Sequence, residues 1–286
     1  MANEATSSVL SELYANIVQS ALYTLNEQTI IRPLIRQYDM TGTPGLTAQV
    51  PIYPALSASG IADGDDLSNT AFNTTSKEIT ASEIGVMVEL TDLAAESANE
   101  DVAAAVGRQI GAAMAEKVDT DLAGLFSGFS NTVNKTTAAV TVQDIFKAAA
   151  ILKNNKADQN GAFACVLHPY QAYDLKNQLT NAGSTMSHSL SDVGNTALLN
   201  GFIGRIAGID VFESTVVTGG DSAGAYYGAV MTRDALGLMI KRNMRIETER
   251  NASKRSLEIV GSMAYGSAQL FDAYGVTILS DSTALV

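Results

Sequence analysis

The sequence predicts an α+β protein, and three features indicate this fold class. A long two-stranded excursion comes first, one long alanine-rich helix follows it, and helices then alternate with strands in the second half of the chain. The chain has 286 residues, of which 46% are hydrophobic and 17% are charged, so it can bury a sizeable core. We therefore expect one large domain or two of ordinary size.

The two-stranded excursion begins with a predicted strand over residues 50–56. This strand contains Pro51 and Pro54, which cannot donate to a ladder, so we expect an edge strand or one that is only partly paired. A polar acidic loop follows at 60–66, and residues 77–90 form the predicted return strand. A hairpin without a core of its own is marginal in water, and connections of this length are usually functional. Two interpretations stay open: a surface hairpin, or an arm that folds against another copy of the chain.

The long helix is predicted over residues 100–126, where apolar residues recur mostly at steps of four and form one stripe. At 1.5 Å per residue, this helix would be about 40 Å long. Residues 1–37 are predicted to contain an amphipathic helix with a single apolar stripe. That stripe faces either the chain's own core or a neighbouring subunit.

A second region begins at Thr141, where Thr141 and Asp144 have the spacing of a capping box that opens a helix. A short strand of buried type is predicted at 161–168, and another helix begins at Pro169. Further strands are predicted at 204–212, 226–231, 237–249, 256–265 and 269–279. We expect the last three of these to return to the long helix.

The composition excludes several classes of protein. The formal net charge is -12 at pH 7, which argues against an overall basic nucleic-acid-binding protein. Cys165 is the one cysteine, so no disulfide forms within the chain. The first residues lack the basic segment and apolar run of a signal peptide, and no run of about 18 apolar residues predicts a membrane span.

The sequence carries no motif for catalysis, a cofactor or a metal. It lacks the nucleophile elbow, the Walker loop, the metalloprotease motif and a complete dinucleotide-binding fingerprint. Cys165 and His168 are three positions apart, but two residues do not complete a zinc site. We therefore expect no enzymatic activity, no cofactor and no metal ion.

Two segments of opposite charge are the candidates for contact between subunits. The acidic loop carries Asp63, Asp65 and Asp66, which resemble part of a calcium loop but lack a glutamate at its twelfth position. Residues 241–255 hold six basic residues against two acidic ones, a local net charge of +4. The basic residues are Lys241, Arg242, Arg245, Arg250, Lys254 and Arg255.

Complementary charge favours a non-covalent contact between the acidic loop of one copy and the basic segment of the next. Nucleic-acid phosphates are a second possible partner for the basic segment. A solvated polar face on a pair of strands is the plain alternative.

The order of the elements and several short segments resemble the major capsid protein family of tailed bacteriophages, whose fold is shared with encapsulin shells. The resemblance covers almost the whole chain, and the order of elements is its strongest part. The segments are Val50-Pro51-Ile52-Tyr53, Asp63-Gly64-Asp65-Asp66, Glu83-Ile84-Gly85-Val86, Glu89-Leu90-Thr91-Asp92, Ala115-Glu116-Lys117-Val118-Asp119, Val166-Leu167-His168-Pro169 and Gly208-Ile209-Asp210-Val211.

The resemblance implies the tailed-phage capsid fold, with an N-terminal arm, an extended β-hairpin called the E-loop, a long spine helix in a peripheral domain, and an α/β axial domain. On this sequence the expected parts are the arm at 1–37, the E-loop at 38–90, the spine helix and start of the peripheral domain at 91–140, the axial domain at 141–236, and the return strands of the peripheral domain at 237–286.

The resemblance also implies a function. The chain would assemble into hexamers and pentamers of an icosahedral shell in the virion, built in the host cytoplasm around double-stranded DNA that it does not bind sequence-specifically. Its implied partners are further copies of itself, a separate scaffolding protein, a portal and a decoration protein, with no membrane. An encapsulin-like cellular compartment is the alternative, and an oligomeric α+β enzyme is less favoured.

Overall fold

A computed structural model describes residues 18–25, 29–53, 72–93, 102–135, 138–157, 161–180, 204–206, 208–220 and 224–282, and also residues 56, 58, 60, 63 and 66. The helices are α1 (18–25), α2 (Val102–Gly124), α3 (Val142–Asn154) and α4 (Pro169–Thr180). Short 3-10 helices lie at Arg32–Leu34, Leu125–Gly128 and Asp272–Tyr274.

The strands that follow one another along the described chain are β1 (Arg36–Asp39), β2 (Thr47–Ile52), β3 (Thr75–Thr80), β4 (Ser82–Thr91), β5 (Thr132–Lys135), β6 (Phe163–Leu167), β7 (Arg205–Ile206), β8 (Ile209–Glu213), β9 (Ala225–Thr232), β10 (Leu236–Asn251), β11 (Ser256–Gln269) and β12 (Gly275–Asp281). They form a four-stranded sheet in the order β1-β10-β11-β4 and a six-stranded sheet in the order β5-β12-β9-β6-β8-β7. The hairpin β2-β3 is separate from both sheets. The α+β class predicted from the sequence is confirmed.

Helix α2 packs on the four-stranded sheet through the apolar stripe that the sequence predicts. The stripe shares one core cluster with Ile246, Ile259 and Met263 of β10 and β11. Gly261 of β11 makes this packing possible, because a Cβ there would lie 2.5 Å from Cγ2 of Ile110. The stripe residues buried against the sheet are Ile110, Met114, Val118 and Leu122.

Helices α3 and α4 cover the six-stranded sheet and bury side chains with it in a second core cluster. The capping box predicted at Thr141 is confirmed. The backbone N–H of Thr141 donates to Oδ2 of Asp144 at 2.8 Å, and the Thr141 side chain accepts a hydrogen bond from the backbone N–H of Asp144. Helix α4 is joined to two strands by the buried Gln171, whose Nε2 donates to the carbonyl oxygen of Tyr226 and to Oγ of Ser280.

The last strand differs from the sequence-based expectation. Strands β10 and β11 return to the long helix as expected, but β12 lies in the six-stranded sheet between β5 and β9. The residues from Gly275 to Ser280 are all buried, which is typical of a central strand covered on both faces. The assignment of all three final segments to the long helix is therefore wrong for β12.

The return strand of the hairpin is not continuous, contrary to the prediction. At Ala81 the chain leaves the hairpin and enters the four-stranded sheet as β4, with the N–H of Ala81 donating to the carbonyl oxygen of Leu46. The backbone approaches Gly266 closely at this point, because a Cβ there would lie 2.3 Å from the carbonyl oxygen of Thr80. Pro51 lies in the two-stranded hairpin, which confirms that β2 is an edge strand.

The base of the hairpin has a small core, so the prediction that the excursion has none is wrong there. Val50, Ile79 and Ala81 are buried against Met239 and Leu270 of the four-stranded sheet region. The hairpin is thus anchored at its base by apolar contacts within its own chain.

The N-terminal helix is described only over α1, and the expectations for residues 1–17 lie outside the described residues. Within α1, Ala21 and Leu25 are buried in the core cluster of α2, which favours the chain's own core as the partner of this stripe. None of the described helices is long and apolar enough to cross a membrane.

Two glycines of α2 give a matched test of this packing. A Cβ at Gly111 would lie 2.3 Å from the carbonyl oxygen of Ala21, whereas a Cβ at Gly124 has nothing within 4 Å. Gly111→Ala should lower the free energy of unfolding by about 1–3 kcal/mol through overpacking. Gly124→Ala should raise it by about 0.5–1 kcal/mol through helix propensity. Denaturant unfolding of the unassembled chain measures both, and equal effects would contradict the close contact of α1 with α2.

Candidate assembly interface

The far end of the hairpin exposes aromatic and aliphatic side chains. The rings of Tyr53 and Phe72, which follow β2 and precede β3, stack with centroids 5.9 Å apart and planes at 12°. Tyr53 is 62% exposed, Phe72 is 50% exposed and Leu56 is 64% exposed. Grouped exposed apolar side chains of this kind mark surfaces that bind another molecule. Sequence reasoning did not predict the aromatic pair, because eighteen residues separate Tyr53 from Phe72 along the chain.

The acidic loop lies between Tyr53 and Phe72 along the chain. Asp63 and Asp66 are both exposed, and Asp65 lies outside the described residues. Within the described part of the chain, neither Asp63 nor Asp66 takes part in an ion pair, so the structure does not bring them to the basic segment of the same chain. Their predicted contact with a neighbouring copy stays a prediction.

The basic residues lie on β10 and on the turn that follows it, and most of them have carboxylate partners in the same chain. Arg250 forms a bidentate pair with Asp92, with one N–O distance of 2.6 Å. Lys254 pairs with Glu89 at 3.1 Å, Arg242 pairs with Glu83, and Arg245 pairs with Glu247 at 2.6 Å. Nζ of Lys241 donates to the carbonyl oxygens of Met40 and Thr43.

Because of these ion pairs, the basic segment carries less uncompensated positive charge than its sequence suggests. Three of the carboxylates, those of Glu83, Glu89 and Asp92, lie on or next to β4, two strands away from β10 in the sheet. They offset much of the local charge of +4 that the sequence suggests. Exposed pairs of this kind contribute little net stability, so the same cations remain able to exchange partners with a neighbouring chain.

Hydrogen bonds and charge lower the pKa of two of the carboxyl groups. The hydroxyl of Ser256 donates to Glu89, and together with Lys254 it lowers the pKa of that carboxyl. The guanidinium of Arg250 lowers the pKa of Asp92 in the same way. Both carboxylates are therefore ionised throughout the neutral range.

One exposed side chain beside this network was missed by sequence reasoning. Leu93 is 77% exposed and lines a cleft together with Thr91, Asp92, Lys254 and Arg255. Arg255 ends the turn with a positive φ of 52°, an uncommon backbone conformation for a residue with a side chain. The sequence gives no periodic signal for Leu93, because it lies two residues after β4, where the alternation has stopped.

Cys165 and His168, the candidate metal ligands in the sequence, are packed against other residues of the fold. Cys165 is fully buried, and burial raises the pKa of its thiol to about 12. His168 stacks on Tyr226 with centroids 3.8 Å apart, and burial lowers its pKa. His188 lies outside the described residues. Among the described residues, no group of three or more His, Cys, Asp or Glu side chains is arranged to hold a metal ion.

An anchored hairpin with an apolar exposed end thus lies beside two sheets that share a core cluster with one long helix. The chain belongs to the phage capsid protein family, whose model matches residues 74–279. This match begins just before β3 and ends within β12, so it includes the basic segment, the strands of the six-stranded sheet, and the four-stranded sheet except for β1.

Individual relatives agree with the family assignment. The chain is 25% identical over 272 residues to the major capsid protein of Staphylococcus phage phiMR11, covering 94% of this chain and 92% of that protein. Its fold is similar to the capsid structure of cyanophage P-SCSP1u, with a TM-score of 0.67 and 20% identity over 89% of both chains. A structure from Mycobacterium phage Che8 matches with a TM-score of 0.69 and 18% identity, over 87% of this chain and 90% of that one. A cellular compartment is therefore not favoured.

Acid should weaken the ion pairs between β4 and the basic segment. The folded-state pKa values of Glu89 and Asp92 are lowered, so the stability that these groups contribute is present at neutral pH and is lost as the pH falls below about 4. We expect the drop in melting temperature between about pH 6 and pH 3 to be smaller in Arg250→Gln than in the unsubstituted chain.

Lys147→Gln provides the control, because it removes an exposed positive charge from α3, away from this sheet. Thermal unfolding of the full chain across this pH range measures all three proteins. If acid lowers the melting temperature equally in Arg250→Gln and Lys147→Gln, the pair of Arg250 with Asp92 makes no specific contribution to the acid sensitivity.

Proposed function

We propose that this chain is the major capsid protein of a tailed phage. Copies of it would form hexamers and pentamers that close an icosahedral shell around double-stranded DNA. The observation that carries the proposal is the end-to-end similarity to the major capsid protein of Staphylococcus phage phiMR11, over 94% of this chain and 92% of that one. The fold shared with solved phage capsid structures supports it.

In this proposal the hairpin is the E-loop, and it reaches across to an adjacent subunit. Its base is held by the contacts of Val50 and Ile79 within the chain, whereas Tyr53, Leu56 and Phe72 lie exposed at the far end. A surface of a neighbouring copy would remove these side chains from water. Each such contact is individually weak, but a closed shell repeats it many times, and the repeated contacts act together.

The remaining parts follow the same arrangement. The four-stranded sheet with α2 would form the peripheral domain, and the six-stranded sheet with α3 and α4 the axial domain at the centre of each capsomer. β12 belongs to the second of these, so residues 275–281 are assigned to the axial domain in this proposal.

The net charge of -12 supports a container that holds DNA without binding it tightly, since like charges repel. A separate scaffolding protein would guide closure, a portal would occupy one vertex, and a decoration protein would bind the outside. Assembly would take place in the host cytoplasm and end in the virion.

Shell formation can be tested directly. The full chain, expressed together with the candidate scaffolding protein of its phage, should give closed particles of uniform size by negative-stain electron microscopy. Mass spectrometry of the particles should identify this chain as their main component. Persistent monomers and an absence of particles with scaffold present would refute the proposal.

The hairpin gives a sharper test. Tyr53→Ala combined with Phe72→Ala should leave the melting temperature of the unassembled chain unchanged, because both rings are exposed. The same variant should lower the yield of closed particles strongly, since aromatic side chains buried at interfaces contribute about 2 kcal/mol or more each. Phe146→Ala is the control, because it removes an exposed ring from α3.

The charge of the loop is tested separately with Asp63→Asn, Asp65→Asn and Asp66→Asn in one chain. Particles of this variant should dissociate at lower denaturant concentration, and their stability should depend less on salt. Unchanged particle stability would reject the contact through the acidic loop, without bearing on the contact through Tyr53 and Phe72.

A further inference from the structure

The exposed face of α3 carries lysine side chains that have no ion-pair partner. Lys147 and Lys153 lie on this face, and Lys156 follows two residues after the helix ends at Asn154. All three lysines are exposed. Within the described part of the chain, no ion pair includes any of them. We call these three residues the lysine face.

No acidic side chain on the exposed face of α3 offsets this charge. The one acidic residue of the helix, Asp144, is buried and is used in the capping box with Thr141. The exposed residues of the helix are Gln143, Phe146, Lys147, Ala150, Lys153 and Asn154. The lysine face thus differs from the basic segment, where most cations are paired with carboxylates of the same chain. It is uncompensated positive charge on a chain whose net charge is -12.

The backbone of Lys156 indicates that its side chain is not required by the turn. Its φ is 58°, in the left-handed region where glycine is favoured directly after a helix. Its N–H donates to the carbonyl oxygen of Lys153 at 3.0 Å, a bond that glycine would make equally well. Attraction to the negative end of the helix applies to Lys153 and Lys156, but not to Lys147 in the middle of α3. Local stability therefore does not account for the lysine face as a group.

The use of lysine at all three positions favours phosphate over protein as the partner. Interfaces between proteins are depleted in lysine and enriched in arginine and aromatic residues. Non-specific contacts with nucleic acid are made by lysine and arginine to phosphate oxygens. Lys147 and Lys153 are about 9 Å apart along the helix axis, at 1.5 Å per residue, so their flexible side chains can reach separate phosphates of one duplex.

We propose that the lysine face contacts the phosphate backbone of the duplex DNA inside the shell. This inference rests on the proposed function, which supplies the DNA. Lysine contacts phosphate as a point charge, so the contact is independent of the base sequence. It follows that α3 turns its exposed face toward the interior of the shell, while the acidic remainder of the surface repels the DNA.

Three phosphate contacts per copy form a weak attachment that depends strongly on salt, because binding releases counterions from the DNA. The logarithm of the binding constant should fall with the logarithm of salt concentration with a slope of about -2.7, since each contacted phosphate contributes about -0.9. Many copies around the shell repeat the contact. The outermost DNA is thereby held in place although no single copy binds it tightly.

The test titrates the full unassembled chain into fluorescently labelled duplex DNA of mixed sequence, at low and then increasing salt. Binding is measured by fluorescence anisotropy, and thermal unfolding checks that each variant is folded. The triple variant Lys147→Gln, Lys153→Gln and Lys156→Gln should weaken binding by about tenfold or more at low salt and bring the salt slope close to zero.

The matched control removes the same amount of positive charge elsewhere. Lys117→Gln, Lys176→Gln and Arg205→Gln replace three cations that are paired with carboxylates within the chain. This control should keep most of the DNA binding and the salt slope of the unsubstituted chain. An equal loss in the two triple variants would overturn the proposal, because net charge alone would then explain the binding.

Lys156→Gly separates binding from stability. Glycine adopts a φ of 58° without a Cβ clash, so this variant should not lower the melting temperature. It should still weaken DNA binding and make the salt slope shallower by about 0.9, because it removes one of three contacts. Unchanged binding together with a lower melting temperature would show that this lysine is purely structural and would contradict the proposal.

Two further outcomes would overturn the proposal. One is the absence of measurable binding to duplex DNA at low salt. The other is tighter binding of the lysine face to labelled polyglutamate than to DNA, which would indicate an acidic protein partner instead. These measurements use the unassembled chain and do not depend on shell formation. Closed particles formed by a chain that does not bind DNA would therefore refute this inference and leave the proposed function intact.

Discussion

The packing of α2 is the constraint on which the other parts of the structure depend. Ile110, Met114 and Val118 are buried by β10 and β11, and the same cluster also takes in side chains from the six-stranded sheet. α1 crosses α2 so closely that only glycine fits at position 111. The 3-10 turn after α2 then meets the last strand, where Oγ1 of Thr277 donates to the carbonyl oxygen of Phe126. Both sheets and the N-terminal segment are thus positioned by one helix.

The hairpin combines a fixed base with an unsupported end. Its base is part of the folded chain, because Ile79 is buried beside Met239 and because β3 continues into β4 after a single residue. The sheet containing β4 is held in turn by the antiparallel ladder between β4 and β11. A hairpin held this way has a defined direction, and only its exposed end gains from contact with another molecule. This division fits a segment that finds its partner by rigid docking rather than by folding on contact.

Features with a local cause were predictable from the sequence, and features with a long-range cause were not. The capping box at Thr141 and the stripe of α2 follow from spacing alone, and both are confirmed. The break at Ala81 depends on a glycine in β11 far along the chain, and the place of β12 depends on which sheet has room for a fully buried strand. The ion pairs of the basic segment arise only when β4 and β10, which are distant in sequence, meet in one sheet.

Strand β12 follows β11 of the four-stranded sheet along the chain but lies in the six-stranded sheet, and this placement has a mechanical consequence. Within the described residues, the backbone passes from one half to the other at three places: from α2 to β5, from β9 to β10, and from β11 to β12. Two bodies joined by a single connection swivel about it, whereas three separate connections resist both twisting and pulling. A load applied to either half is therefore shared among three covalent paths rather than carried by one.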